Sequence, residues 1–419
     1  MKFDNTKNAG WIVTSSALFI NLALGILYAW SVFKEYIHHS ISSGDGIFNW
    51  DLASLNDPYA LCILTFALSM TIAGRLQDKK GPSFTAKIGA ILVGSGFILA
   101  SLSTNYYIWM LGFGLLGGMG IGFGYSATTP AALKWFSSAK TGLIAGIVVS
   151  GFGIAPVYIA PLSSFLIDKY DLQNTMMIYG ILFLVVIFLL AFLLKNPPIG
   201  FIPQEVESKV NEQKKSKENI ALDVSTKDML KTTKFYVMWV IFFISSGVGL
   251  MVISNISGLA KASMGKSAFI AVAIMAIGNA SGRIIAGIVS DKIAKSTTLF
   301  IILLFQSTLM FLASLLLSEN SPILTILFFA TFIGFNYGTN LSLFPSFTKG
   351  FWGMKNFGLN YGILMSAWGL GGFVFSRLSQ MLYANTGGHK MSFIIGGSGL
   401  FVCIFLTLIL LEIKSMNKS

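Results

Sequence analysis

Apolar side chains along this chain fall into long, nearly unbroken runs, and the polar residues collect between the runs instead of alternating with them. Twelve runs can be marked, near residues 11–33, 57–75, 83–103, 107–129, 141–167, 174–194, 235–258, 267–289, 298–317, 322–344, 357–382 and 391–412. About 20 apolar residues in a helix cross a bilayer core of about 30 Å. The pattern therefore predicts an all-α polytopic membrane protein with 12 transmembrane helices. The only long polar segment lies between the sixth and seventh runs, carries KVNEQKKSKEN at its centre and has no apolar periodicity. It predicts a cytoplasmic linker over 196–234, dividing the chain into an N-terminal six-helix bundle (1–195) and a C-terminal one (235–419).

Composition agrees with the pattern. Of 419 residues, 54% are hydrophobic and 11% charged, with 43 glycines and a mean hydropathy of +0.73, which excludes an ordinary soluble domain. The net charge of +12 raises the question of nucleic acid, and its distribution answers against it. With a cytoplasmic amino terminus, the outer loops hold Lys34, Lys169, Lys261, Lys266, Arg377 and Lys390, and apart from Arg283 every other Lys and Arg lies inside. That is the positive-inside asymmetry of a cell (inner) membrane protein with both termini in the cytosol.

The remaining chemistry is sparse. Cys62 and Cys403 both fall within spans and read as packing residues. His38, His39 and His389 lie outside the spans and read as solvated loop residues, so neither a metal site nor a Ser-His-Asp arrangement is expected. The polar stretch Met1 to Gly10, followed by a long apolar run, is not the pattern of a cleavable signal. No enzyme activity and no cofactor are expected.

The chain also repeats itself. AGRLQDKKG from Ala73 matches AGIVSDKIA from Ala286; GFGY at Gly122 matches GFNY at Gly334; KTGLIAGIVVSGFG ending at Gly153 matches NFGLNYGILMSAWG ending at Gly369. Three matches in the same order at similar spacing imply two pseudo-symmetric six-helix bundles of parallel topology, the major facilitator arrangement. The cytoplasmic turn Gly74 to Gly81, with GxxxDxxG, resembles the signature loop of that superfamily, and Asp291-Lys292 is its counterpart. Asp78, Arg75 and Asp291 are expected to pair with helix ends or charges of the opposite half when the cytoplasmic side is closed. The fourth span, with Gly112, Gly114, Gly117, Gly118, Gly120, Gly122 and Gly124, and the fifth, with Gly142, Gly146, Gly151 and Gly153, admit two readings: static close packing, or a smooth surface on which the halves move.

One charge stands inside an apolar run. Arg283 precedes Asp291 by eight residues, which puts it about 12 Å inside the cytoplasmic end of its helix. A cation there costs at least about 2.5–3.5 kcal/mol and usually faces a cavity that serves an ion or substrate. Arginine is rare in this chain, which otherwise holds only Arg75 and Arg377, and a planar guanidinium suits two-point contact with a carboxylate. Asn279, one turn earlier, shares its helix face, with an interhelical hydrogen bond as the other reading. Tyr125 and Tyr337, symmetric in the fourth and tenth spans, have phenols that need either a helix partner or a bound anion. No acidic residue lies at matching depth: Glu35, Asp51, Asp57, Asp78, Asp168, Asp291, Glu319 and Glu412 all sit in loops or near helix ends. An uncompensated buried cation prefers an anion as guest.

NLALGILYAWSVF, NASGRIIAGIVSDKIAK, FNYGTNLSLFPSF and NYGILMSAWG, in the first, eighth, tenth and eleventh spans, resemble the oxalate:formate antiporter family, which is related to the monocarboxylate transporters. The resemblance covers nearly all of both halves. It implies a central site where Arg283 binds a carboxylate with help from Asn279, Tyr125 and Tyr337, and substrates among oxalate, formate, lactate and pyruvate. Oxalate carriers of that family have a lysine in the eleventh span after the NYG motif, and Trp368 stands in its place here. A dianion would leave its second charge facing Trp368 and Met365, whereas the short tail of a monoacid would find an apolar wall.

The expected function is accordingly a secondary transporter of a small monocarboxylate, L-lactate or pyruvate in type, acting as a monomer by alternating access. Arg283 serves from one half, and Tyr125 with Tyr28 from the other. Proton symport is the coupling implied by the resemblance. An oxalate or formate exchanger is the alternative, and a carboxylate sensor that transports nothing is a reading of a different class.

Overall fold

In hydrocarbon an unpaired backbone group is expensive, so each apolar run closes its own hydrogen bonds as a helix. The computed structural model of the protein describes residues 6–51, 54–198, 201, 223–265, 269–318, 321–386 and 388–416. In the first half, α1 runs as Thr6–Leu24, a 3₁₀ turn Gly25–Ala29 and Trp30–Ser43; α2 is Asp57–Lys80 and α3 is Pro82–Ser101. The fourth run, α4, comprises Tyr106–Trp109, a π-helical stretch Met110–Gly117 and Gly118–Leu133; α5 is Thr141–Ile154 followed by Pro156–Tyr170, and α6 is Leu172–Ala191. In the second half, α7 is Thr233–Met264, α8 Phe269–Lys292, α9 Lys295–Leu316, α10 Ile323–Trp352, α11 Phe357–Thr386 and α12 Lys390–Met416.

Among the described residues, 11 helical runs are long and apolar enough to cross a membrane. The remaining run, α11, has 30 residues, but Asn360, Ser366 and glycines at 358, 362, 369, 371 and 372 dilute its apolar character. Its neighbours are α2 and α7, so it is faced by protein on two sides. Helices also outlast the apolar runs that predict them. α1 continues to Ser43, so His38 and His39 are exposed residues of a helix end and not of a loop.

Pairing within the two halves repeats. α1 packs on α4 and α5, α2 on α4, and α3 on α4 and α6; correspondingly α7 packs on α10 and α11, α8 on α10, and α9 on α10 and α12. The halves meet through α2 with α11 and α5 with α8, which are one another's counterparts in the repeat, and through α4 with α11 and α5 with α10.

The two readings of the glycines divide between spans. Those of α4 serve packing inside the first half: a Cβ on Gly120 would strike Val93 and Gly89 of α3, and one on Gly122 would strike Ser69 and Phe66 of α2. Of those in α5, Gly151 packs on Leu18 of α1 within the first half, and the other three lie at the seam, with Gly142 against Gly287, Gly146 against the Arg283 carbonyl of α8 and Gly153 against the Arg283 side chain. Two helix interruptions face each other nearby. Pro156 has no N–H to give the Phe152 carbonyl, and Gly25, at the start of the 3₁₀ turn, lies so close that a Cβ would be 2.6 Å from that oxygen.

Of the linker, residues 199–200 and 202–222 lie outside the described residues. Its end is docked on the second half. The Asp223 carboxylate accepts from the Met354 and Lys355 amides (both 3.0 Å), the Val224 amide donates to the Trp352 carbonyl at 3.1 Å, and Thr226 donates to Asn360 Oδ1 at 2.7 Å. Cys62 and Cys403 are buried and free.

Candidate functional site

Arg283 is fully buried. Its Nε donates to Asn279 Oδ1 at 2.8 Å, one turn back on α8, and its Nη1 donates to the Val149 carbonyl of α5 in the other half. Gly153 makes room for this: a Cβ there would be 3.0 Å from Nε and 3.1 Å from Cζ. Nη2 has no protein partner. None of these contacts is with a carboxylate. A guanidinium has five N–H donors and a large desolvation penalty, so two neutral acceptors leave both its charge and part of its donor capacity unanswered.

Aromatic residues from both halves close around it. Tyr28, Tyr125, Tyr337 and Tyr361 all lie within electrostatic reach of the guanidinium. The Tyr28 and Tyr337 hydroxyls share a hydrogen bond of 2.6 Å across the seam, and Trp368 Nε1 donates to the Tyr337 hydroxyl at 2.9 Å. Phe66 lies tilted against Trp368 at 5.0 Å and edge-on to Tyr125 at 5.5 Å; Phe152 stands edge-on to Tyr125 at 5.5 Å and to Tyr28 at 5.0 Å. Tyr361, Met365 and Trp368 share one face of α11 and are all buried. Trp368 thus supplies a ring wall and also an N–H that fixes Tyr337.

The structure brings together Arg283 and Asn279 directly, and Tyr28, Tyr337 and Trp368 through hydrogen bonds. Tyr361 is the residue that sequence reasoning missed. It stands in the NYG motif, but its relation to Tyr125 is a contact between halves that spacing along the chain does not reveal. The Tyr125 and Tyr361 hydroxyls face each other across the seam, and neither has a partner beyond the other.

A second constellation lies at the helix ends. Asp78, closing α2, accepts from the Gly358 and Leu359 amides (3.0 and 2.9 Å) at the start of α11. Asp291, closing α8, accepts from the Gly142 and Leu143 amides (2.8 and 2.9 Å) at the start of α5. Each carboxylate caps the positive end of a helix from the opposite half. Gly74 against Gly358 and Gly142 against Gly287 let the backbones approach within contact that a side chain would block. Lys134 lies beside Asp78; burial holds its ammonium below the usual lysine range, and the carboxylate pulls it back up. Lys349 donates across the seam to the Leu133 carbonyl at 3.4 Å. Arg75 takes no part in this contact and is exposed on α2.

Residues 10–376 match the model of the Major Facilitator Superfamily. The chain belongs to that superfamily. An uncharacterised superfamily transporter of Escherichia coli K12, YhjX, is 28% identical over 88% of this chain and 87% of its own. The oxalate:formate antiporter of Oxalobacter formigenes is 23% identical over 86% of this chain and 81% of its own. The solved structure of the proton:xylose symporter XylE bound to 6-bromo-6-deoxy-D-glucose superposes with a TM-score of 0.71 at 14% identity, covering 96% of each chain, which shows the fold. A multi-pass major facilitator transporter is therefore the frame in which the site has to be read.

Proposed function

We propose that this protein is a secondary active transporter of a small monocarboxylate, L-lactate or pyruvate in type, driven by protons and working as a monomer by alternating access in the cell (inner) membrane, with both termini cytoplasmic. The observation that carries the reading is the buried Arg283, held by neutral groups of both halves, with Nη2 unpartnered and no carboxylate among the described residues paired with it. An organic anion supplies that balance. Tyr28 and Tyr125 on one half and Tyr337, Trp368, Met365 and Asn279 on the other complete its surroundings.

Binding a guest that touches both halves favours the closed arrangement. Asp78 and Asp291 close the cytoplasmic end, and their release from the helix starts accompanies opening on that side. With no acid beside Arg283, a proton has two routes: on the substrate itself, or through the surroundings of the guanidinium. The resemblance to an oxalate:formate antiporter supports anion exchange as a second reading. Against a dianion stands the ring of Tyr, Trp, Phe and Met around the cation, which offers no second positive group.

Uptake of labelled L-lactate, pyruvate, formate and oxalate into proteoliposomes, with and without a pH gradient, tests the proposal. Monoacid uptake accelerated by an inward proton gradient is expected. Arg283→Lys is expected to abolish it, because a point charge cannot hold Asn279, the Val149 carbonyl and a carboxylate together. Full uptake by that variant refutes the reading, as does binding of the acids with no counterflow, the behaviour of a sensor.

A further inference from the structure

Three buried donors lie near one another: Nη2 of Arg283 on α8 has no partner, and the hydroxyls of Tyr125 on α4 and Tyr361 on α11 have none beyond each other. Buried polar groups without full partners are costly and rare, so an unpartnered guanidinium N–H beside two hydroxyls that have only each other is a place prepared for a guest. Their neighbourhood is built from contacts: α4 packs on α11 across the seam, Phe66 touches both Tyr125 and Trp368, and Trp368 shares the face of α11 that carries Tyr361. Tyr361 also occupies a particular level. It follows Gly358 and Leu359, whose amides are capped by Asp78, by less than one helical turn, so it lies between the Arg283 site and the closed helix ends.

We propose that Tyr361 is a substrate-contacting and specificity-determining residue, forming with Tyr125 the floor of the site. The two hydroxyls donate from opposite halves to the carboxylate whose charge is met by Nη2 of Arg283. This rests on the carboxylate reading above and adds to it the groups that select the guest. A carboxylate offers about four lone-pair directions, enough for these three donors. Phenols solvate one negative charge without supplying a second positive one, so the floor selects monoanions over dianions. An anion bridging Tyr125 and Tyr361 also ties the halves together directly beside the Asp78 cap, so loading of the site favours closure of that end.

The test uses purified full-length protein carrying Tyr361→Phe, Tyr125→Phe or both, with the same four acids as probes. Each single variant is expected to raise KM for transported monoacids about tenfold or more, the value of one hydrogen bond to a charged group. The double variant is expected to fall short of the product of the two effects, because both hydroxyls serve one carboxylate. The melting temperature without acid is expected to change little in Tyr361→Phe, since the hydroxyl removed has no partner beyond Tyr125, while the upward shift produced by added monoacid shrinks. A wild-type KM in Tyr361→Phe, or a lower acid-free melting temperature with unchanged acid response, overturns the proposal while continued dependence on Arg283 preserves the carboxylate reading. If wild-type protein moves none of the four acids, that reading falls and this one with it.

Discussion

The ends of the helices and the middle of the bundle obey different rules. At the ends, the carboxylate caps and the glycine contacts occur twice: Asp78 caps α11 as Asp291 caps α5, and Gly74 meets Gly358 as Gly287 meets Gly142. In the middle, the repeat is broken. With AGRLQDKKG laid on AGIVSDKIA, Arg283 falls opposite Met70 and Asn279 opposite Phe66; with the glycine-spaced stretches aligned, Trp368 falls opposite Phe152 and Tyr361 opposite Ala145. Only Tyr125 and Tyr337 keep their match. Closing two rigid halves is a symmetric task and uses duplicated parts, whereas holding one small charge needs a single cation against an apolar wall.

The largest effect that would break this contrast comes from the glycine contacts. Gly142→Leu and Gly358→Leu each place a side chain where the opposing backbone already stands, and both are expected to reduce uptake at least about a hundredfold by blocking closure, since a clash with packed backbone exceeds about 3 kcal/mol. Equal losses support equivalence of the two contacts; a loss in only one variant shows that one seam dominates. A smaller effect tests the carboxylates. Asp78→Asn and Asp291→Asn each weaken a charge-assisted helix cap of about 1–2 kcal/mol, so each is expected to change the closed-to-open ratio about fivefold to thirtyfold. Alkylation of a cysteine introduced in the α4 to α5 turn reads that ratio, and the two variants should agree within about twofold. The smallest effect belongs to Arg75→Ala, expected to leave uptake within about twofold of wild type, because this exposed side chain stands outside the symmetric contact.

The sequence made the twelve runs, the division in two and Arg283 legible because lipid imposes a strong compositional signal and a charge within it is conspicuous. Element ends were less legible. An apolar run measures the thickness of the hydrocarbon, and α1 and α10 continue as helix beyond it to Ser43 and Trp352. The 3₁₀ turn at Gly25–Ala29 contains no proline to announce it; what its first residue packs against, Phe152 and Ala155 just ahead of Pro156, lies on another helix. The partners of Arg283 show the same limit. Asn279 was readable as a neighbour one turn away, but the Val149 carbonyl belongs to the backbone, and every residue has one. Tyr361 carries no such signal, because an aromatic residue in a membrane helix is commonplace until its hydroxyl is found opposite Tyr125 of the other half.

The Val149 carbonyl has one more consequence. By accepting from Nη1 across the seam it pins the two bundles together in the middle without neutralising the charge, so parting them at that level must first break this bond.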